Sequence, residues 1–292
     1  MNFLGSRSSL QVLEVDLNYL WVPLPLHRIY SLREITFTDD IYAIWRTEKY
    51  YCHLPLNPVG VQTYKNLATL LALSPSGQIT KLDLTSASLR EIFQFLTPEV
   101  EPLRIKELRM FKSLVELDTL TVPHLRHLTC VHFLTMNISS DMNDVWLTLH
   151  RERIHLREIK IDRITSTLLE YLASYTGLTK LVVETINLRG KSSSESDALA
   201  TRFFGKPLGS HVETLEELNI SAHFQDLWCF GEHNILTFSS FTRLRKLSVC
   251  VSEADLPKYE SFGSSSDSES EVATAFQNFE PNIVVSFHVP IS

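Results

Sequence analysis

One short pattern recurs along the chain and limits how it can fold. An apolar residue is followed by two variable positions, a second apolar residue, one variable position and a third apolar residue. It occurs as Leu10-Leu13-Val15, Leu32-Ile35-Phe37, Ile79-Leu82-Leu84 and Ile105-Leu108-Met110. It continues as Leu125-Leu128-Cys130, Leu156-Ile159-Ile161, Leu178-Leu181-Val183, Leu215-Leu218-Ile220 and Leu244-Leu247-Val249. A tenth, weaker strand is expected at Ile283-Val284-Val285-Ser286-Phe287. The last two apolar positions of each copy have the period of two that puts them on one side of a strand. Between copies the spacing turns helical, as in Leu67-Leu70-Leu71, Leu89-Ile92-Phe93-Leu96, Val145-Leu149 and Ile164-Leu168-Leu169-Leu172. Turn residues stand where those helices should end, at Ser74-Pro75-Ser76-Gly77, Thr97-Pro98 and Tyr175-Thr176-Gly177.

One strand plus one helix cannot bury its apolar side alone, whereas stacked copies can. The first residues of successive copies are separated by 22, 47, 26, 20, 31, 22, 37 and 29. Most of these fall near the leucine-rich-repeat period of about 20–29 residues. The pattern therefore predicts an α/β leucine-rich-repeat solenoid, or horseshoe. Its parallel strands would line the concave face, with helices and irregular loops on the convex face. Residues 1–292 are read as a single such domain, and the long interval between Leu32 and Ile79 as a degenerate repeat or an insertion. The competing architecture is a compact doubly wound α/β domain, whose strands tend to be continuous Val/Ile runs.

Composition narrows the function. The chain is 44% hydrophobic and 21% charged, enough apolar mass for a large core. A net charge of −7 argues against nucleic acid as the main ligand and against an anionic membrane surface. Cys52, Cys130, Cys229 and Cys250 lie far apart with no Cys-x-x-Cys, which reads as free thiols in a reducing compartment. No basic stretch followed by an apolar run opens the chain, and no segment reaches the roughly 18 apolar residues of a membrane helix. The expected location is the cytoplasm or the nucleus.

The repeats resemble those of fungal F-box and leucine-rich-repeat proteins. The resemblance is carried by Pro123-His124-Leu125-Arg126-His127-Leu128-Thr129 and Thr214-Leu215-Glu216-Glu217-Leu218-Asn219-Ile220-Ser221. Leu227-Trp228-Cys229-Phe230-Gly231 and Leu244-Arg245-Lys246-Leu247-Ser248-Val249 add to it. It covers the repeat region, about Leu10 to Val251. The helical F-box itself is not seen, and the Leu24-Pro25 pair falls between two repeats. What the resemblance implies is a protein-binding module, a substrate-recognition arm of a ubiquitin ligase, with a Skp-type adaptor as a further partner.

The variable positions flanking the second apolar residue should face the concave surface. The first of these columns reads Val12, Glu34, Lys81, Glu107, His127, Glu158, Lys180, Glu217 and Lys246. From Glu34 onward the sign alternates, and strands about 4.8 Å apart would make it a ladder of opposite charges. The next columns place Arg109, Thr129, Lys160 and Val182, then Phe111 and Val131. Arg109, Phe111, His127, Thr129 and Val131, with Lys160 and Val182, are the predicted partner-facing residues, because Arg and aromatic anchors dominate interface energetics.

Catalytic motifs do not emerge. The chain has no His-Glu-x-x-His, no phosphate loop ending in Gly-Lys-Ser/Thr and no Gly-x-Ser-x-Gly elbow. His124, His127, Cys130 and His132 are close in sequence, but in the predicted frame Cys130 faces away from His127, which opposes a zinc site. No enzyme activity, cofactor or metal is therefore expected. Two Ser/acid runs, 191–197 and 261–271, are read as disordered loops. In the second, Ser264, Ser266 and Ser268 each precede an acid by three residues and are candidate phosphorylation sites.

Overall fold

A computed structural model describes residues 11–16, 33–38, 58–74, 78–85, 88–97, 100–111, 115–134, 142–186, 193–222, 227–251 and 284–288. It divides into two compact units, Met1–Ile154 and His155–Ser292. Each is α/β with parallel strands that follow chain order.

In the first unit, β1 (Val12–Asp16), β2 (Glu34–Thr38), β3 (Lys81–Thr85), β4 (Glu107–Phe111) and β5 (Cys130–Leu134) pair in that order, from β1 with β2 to β4 with β5. Helix α1 (Pro58–Leu73) lies between β2 and β3, and α2 (Leu89–Phe93) between β3 and β4. A 3-10 turn, Val122–Leu125, precedes β5, and α3 (Asn143–Arg151) follows it. In the second unit, β6 (Glu158–Ile161), β7 (Lys180–Ile186), β8 (Glu217–Ala222), β9 (Lys246–Cys250) and β10 (Val284–His288) pair in the same manner. Helices α4 (Ser166–Leu172), α5 (Ser193–Phe204), α6 (Lys206–Gly209) and α7 (Glu232–Ser239) separate them. Gly177, in the turn after α4, has φ +108°, which side-chain-bearing residues rarely adopt.

The second and third apolar positions of the pattern stack in register. In the first unit Leu13, Ile35, Leu82, Leu108 and Val131 form one buried row, and Leu84, Met110 and Phe133 a second. In the second unit the rows are Ile159, Leu181, Leu218 and Leu247, then Ile161, Val183, Ile220 and Val249. Buried faces of the helices complete each core: Tyr64, Leu67, Ile92, Phe93 and Trp146 in one, Leu168, Leu172, Phe203 and Phe238 in the other. β2 pairs directly with β3, so no strand stands between them in the sheet, and the described part of the 47-residue interval carries α1.

The fifth copy lies three residues later than the sequence frame put it. Glu107 is in register with Cys130 and Leu108 with Val131, so the true frame is Leu128-Val131-Phe133. The cause is the 3-10 turn just upstream. Its three-residue period places Val122 and Leu125 in phase with Leu128 and Val131, so the same apolar spacing fits two frames. The run 191–197 also differs from expectation: α5 begins at Ser193, inside it. Ser196 is buried and its hydroxyl accepts from Trp228 Nε1 at 3.0 Å. Leu199, Ala200, Phe203 and Phe204 farther along α5 bury the helix, which supplies the apolar area that the run lacks. The run 261–271 lies outside the described residues.

Buried backbone groups leading into the strands are satisfied by rings from the following segment. His124 Nδ1 accepts from Leu103 N at 3.1 Å, and Tyr171 Oη accepts from Leu156 N at 3.0 Å. Tyr175 Oη donates to Leu156 O at 3.0 Å. His211 is fully buried, with Nδ1 facing Leu178 N at 3.4 Å and Nε2 facing Leu172 O at 3.1 Å. That arrangement requires the neutral ring with its proton on Nε2.

The register correction predicts opposite effects at two neighbouring positions. Val131→Asp buries an unpaired carboxyl and should abolish the cooperative urea transition of the first unit, whereas His127→Asp, on an exposed turn, should stay within about 0.5 kcal/mol of wild type. Equal effects would restore the earlier frame.

His211 generates a second prediction. Burial pushes its pKa from 6.5 down to about 4, against the hydrogen bond to Leu172. The unfolded chain therefore takes up a proton first as pH falls. The stability from neutral His211 is complete above about pH 6.5 and lost towards pH 4, by on the order of 3 kcal/mol. His211→Phe should be less stable near neutrality by about 1–3 kcal/mol, because Leu178 N–H loses its acceptor. The gap to wild type should narrow on acidification across that window. Urea midpoints that run parallel across it would remove His211 as the source.

Candidate functional site

The faces of the strands opposite the core carry four of the seven positions that sequence reasoning assigned to a partner, Arg109, Phe111, Lys160 and Val182. In the first unit they form three rows across the strands. The first holds Glu34, Lys81, Glu107 and Cys130, and the second Glu14, Thr36, Asp83, Arg109 and His132. The third holds Thr85, Phe111 and Leu134. Each of β3, β4 and β5 alternates half-buried outward residues with buried inward ones, the pattern of a sheet with one side packed and one side accessible.

Lys81 Nζ is ion-paired with Glu34 Oε1 across β2 and β3. Arg109 does not reach across to Asp83, its neighbour in register. Its Nε donates to Glu107 Oε1 at 2.6 Å, two residues earlier on its own strand. Asp83 is half-buried and makes no hydrogen bond or ion pair among the described residues. Burial raises its pKa, and so do Glu34 and Glu107, while Arg109 and Lys81 pull the other way without reversing the shift.

In the second unit the expected alternation forms as written over three strands. Glu217 on β8 accepts from Lys180 on β7 at 2.8 Å and from Lys246 on β9 at 2.9 Å. Partial burial opposes its ionisation, but the two ammonium groups outweigh it and hold the carboxyl below its usual range. Lys160 on β6 pairs diagonally with Glu184 on β7 at 2.6 Å. Farther along this face Ser248 and Cys250 are buried, and Cys250 Sγ faces Ile220 O at 3.9 Å.

The predicted partner-facing residues separate on this geometry. Arg109 and Phe111 stand on the outward face of the first unit. Lys160 stands outward in the second. Val182 shares its outward row but is only 5% exposed, between Lys160 and Asn219 in register. His127 is in an exposed turn before β5, not on a strand. Thr129 precedes β5 and its hydroxyl donates to Lys106 O at 3.2 Å, so it extends the backbone ladder. Val131 belongs to the core. Phe111 and Val131, both assigned to the partner face, therefore lie on opposite sides of the sheet. Phe111 is instead in register with Leu134, both half-buried and outward. Cys130, His132 and Leu134 were missed through the frame error. The signal that finds them is spacing: with Leu128 as first residue the flanking intervals become 23 and 28 in place of 20 and 31.

Ser264, Ser266 and Ser268 lie outside the described residues. Among the described residues no group of three or more His, Cys, Asp or Glu is arranged to hold a metal ion, and no helix is long and apolar enough to cross a membrane. His124, in the suspected zinc set, is instead buried against Phe93, ring centroids 5.2 Å apart. No family model matches the chain, and no curated protein matches it.

The Glu217 bridge yields a further prediction. Each cross-strand ion pair contributes about 0.2–1 kcal/mol. Its folded pKa is depressed, so this stability is present above the ordinary value of 4.5 and lost as pH falls through the lower, folded value. Glu217→Gln should cost about 1 kcal/mol near neutral pH and less at high salt. The difference from wild type should vanish in acid. A difference unchanged by both salt and acid would show that the bridge contributes nothing.

Proposed function

We propose that the chain is a leucine-rich-repeat solenoid whose outward strand faces hold another protein. Strand order supports the repeat reading. Doubly wound domains reverse their strand order within the sheet and cover both faces with helices. Here the strands of each unit follow chain order, and β3, β4 and β5 keep one accessible face. Repeats of this kind use such extended surfaces for binding.

One observation carries the functional reading. Phe111 and Leu134 stand in register on the accessible face, half-buried, next to a field of charged side chains. An aromatic anchor beside an aliphatic one, rimmed by polar groups, is the composition of a protein-binding centre. The resemblance to F-box and leucine-rich-repeat proteins extends the proposal. The bound protein would be a substrate for ubiquitination, delivered through a Skp-type adaptor in the cytoplasm or nucleus.

Affinity capture from the source cell tests it, comparing the intact chain with Phe111→Ala plus Leu134→Ala. The double variant should lose a reproducibly captured protein while its thermal transition stays close to wild type. Unchanged capture would place the partner elsewhere. Co-capture of a Skp-type adaptor supports the ligase extension. A retained partner without the adaptor withdraws that extension alone.

A further inference from the structure

The first unit's outward face is not electrically balanced, and the imbalance centres on one side chain. Its rows contain the carboxylates Glu14, Glu34, Asp83 and Glu107 against two cations, Lys81 and Arg109. Four against two leaves two net negative charges among the described side chains of these rows. Lys81 is committed to Glu34 and Arg109 to Glu107. Asp83, between those pairs, has no hydrogen-bonded counter-ion among the described residues. Arg33 and Lys106 lie one residue outside the rows, at the N-terminal ends of β2 and β4, and are exposed. A half-buried carboxylate with neighbours of both signs but no bonded partner has lost part of its hydration and can accept a cation that reaches it from outside.

We propose that this face binds a basic segment of the partner protein, with a Lys or Arg of that segment seated on Asp83 and an apolar side chain seated on Phe111 and Leu134. The assignment rests on the protein-binding reading above and gives the partner its chemistry. Spacing fits an extended segment. Asp83 and Phe111 are one strand apart and two residues apart along the strand, a diagonal of about 8 Å. Side chains at positions i and i+2 of an extended chain are about 7 Å apart. A cation and an apolar residue separated by one position therefore reach both seats. The incoming cation also relieves the mutual repulsion of Asp83, Glu34 and Glu107.

The full chain can be titrated, by fluorescence anisotropy, with two labelled synthetic peptides. One repeats Arg-Ser-Leu-Ser three times, and the other carries Glu in place of each Arg. The Arg peptide should bind saturably, and more weakly as salt is raised. The Glu peptide should not bind. Asp83→Asn should weaken the Arg peptide by at least about tenfold while unfolding at the same or a higher temperature, since the amide carries no charge to desolvate. Arg109→Gln, which removes one of the two cations, should tighten it. Opposite effects at two adjacent positions are not expected of a general loss of structure.

Saturable binding of the Glu peptide, or an Arg peptide indifferent to both substitutions, overturns the assignment. So does failure of the Arg peptide to bind. If that failure comes while Phe111→Ala plus Leu134→Ala still loses its captured protein, only the basic-segment assignment falls. If capture is also unaffected, the protein-binding reading falls with it.

Discussion

The register between parallel strands is the constraint on which everything else depends. Leu82, Leu108 and Val131 stand side by side across β3, β4 and β5, each essentially inaccessible to water. A parallel ladder shifted by one residue would turn that row to the solvent and turn Lys81, Glu107 and Cys130 into the core. Burial of each apolar side chain contributes about 1.5–3 kcal/mol, and burial of each unpaired charge costs more than that. The apolar rows and the charged rows therefore enforce the same register from opposite sides. The cross-strand pairs contribute little as bonds. Their larger effect is to make every alternative register unfavourable.

A second requirement follows from packing parallel strands in this way. β4, β6 and β7 are each entered past a buried residue, Leu103, Leu156 and Leu178, whose backbone groups are out of reach of water. Those groups need partners, and the chain supplies them from the next segment: His124 for Leu103, Tyr171 and Tyr175 for Leu156, His211 for Leu178. Threonine hydroxyls do similar work for carbonyls, with Thr179 on Arg157 and Thr214 on Leu178. These segments are thus tied to the ones that follow them by polar contacts as well as by leucines. The rings must stay neutral to serve, which burial ensures for His124 and His211 by lowering their pKa.

Much of this was legible in the residues. The second and third apolar positions of eight copies located eight of the ten strands, because burial on one side of a strand imposes a period of two. The helices were legible from the 3.6-residue spacing of Leu67-Leu70-Leu71 and Leu168-Leu169-Leu172. The fifth strand was not, because a 3-10 turn and a strand entry share apolar residues three apart, and pattern alone cannot rank two frames that both fit. Ser196 was misread for a different reason. Its composition favours solvation, but the side chain that accepts from Trp228 comes from a helix whose burial is set by Phe203 and Phe204 downstream. Ring contacts such as His211 with Tyr175, centroids 5.0 Å apart, join residues far apart in sequence, and no local pattern announces them.

The outward face follows one rule in the second unit and departs from it in the first. Lys180, Glu217 and Lys246 alternate and pair as the register demands. On the first unit Arg109 turns back along its own strand to Glu107, and Asp83 is left beside a cation it does not bind. The ion pair Arg109 does make leaves Asp83, rather than Glu107, without a bonded cation. Local departures from an otherwise consistent pattern concentrate where a surface answers to something other than its own stability. That is why Asp83 and Phe111, rather than the better-paired ladder around Glu217, are the positions at which a partner is to be sought.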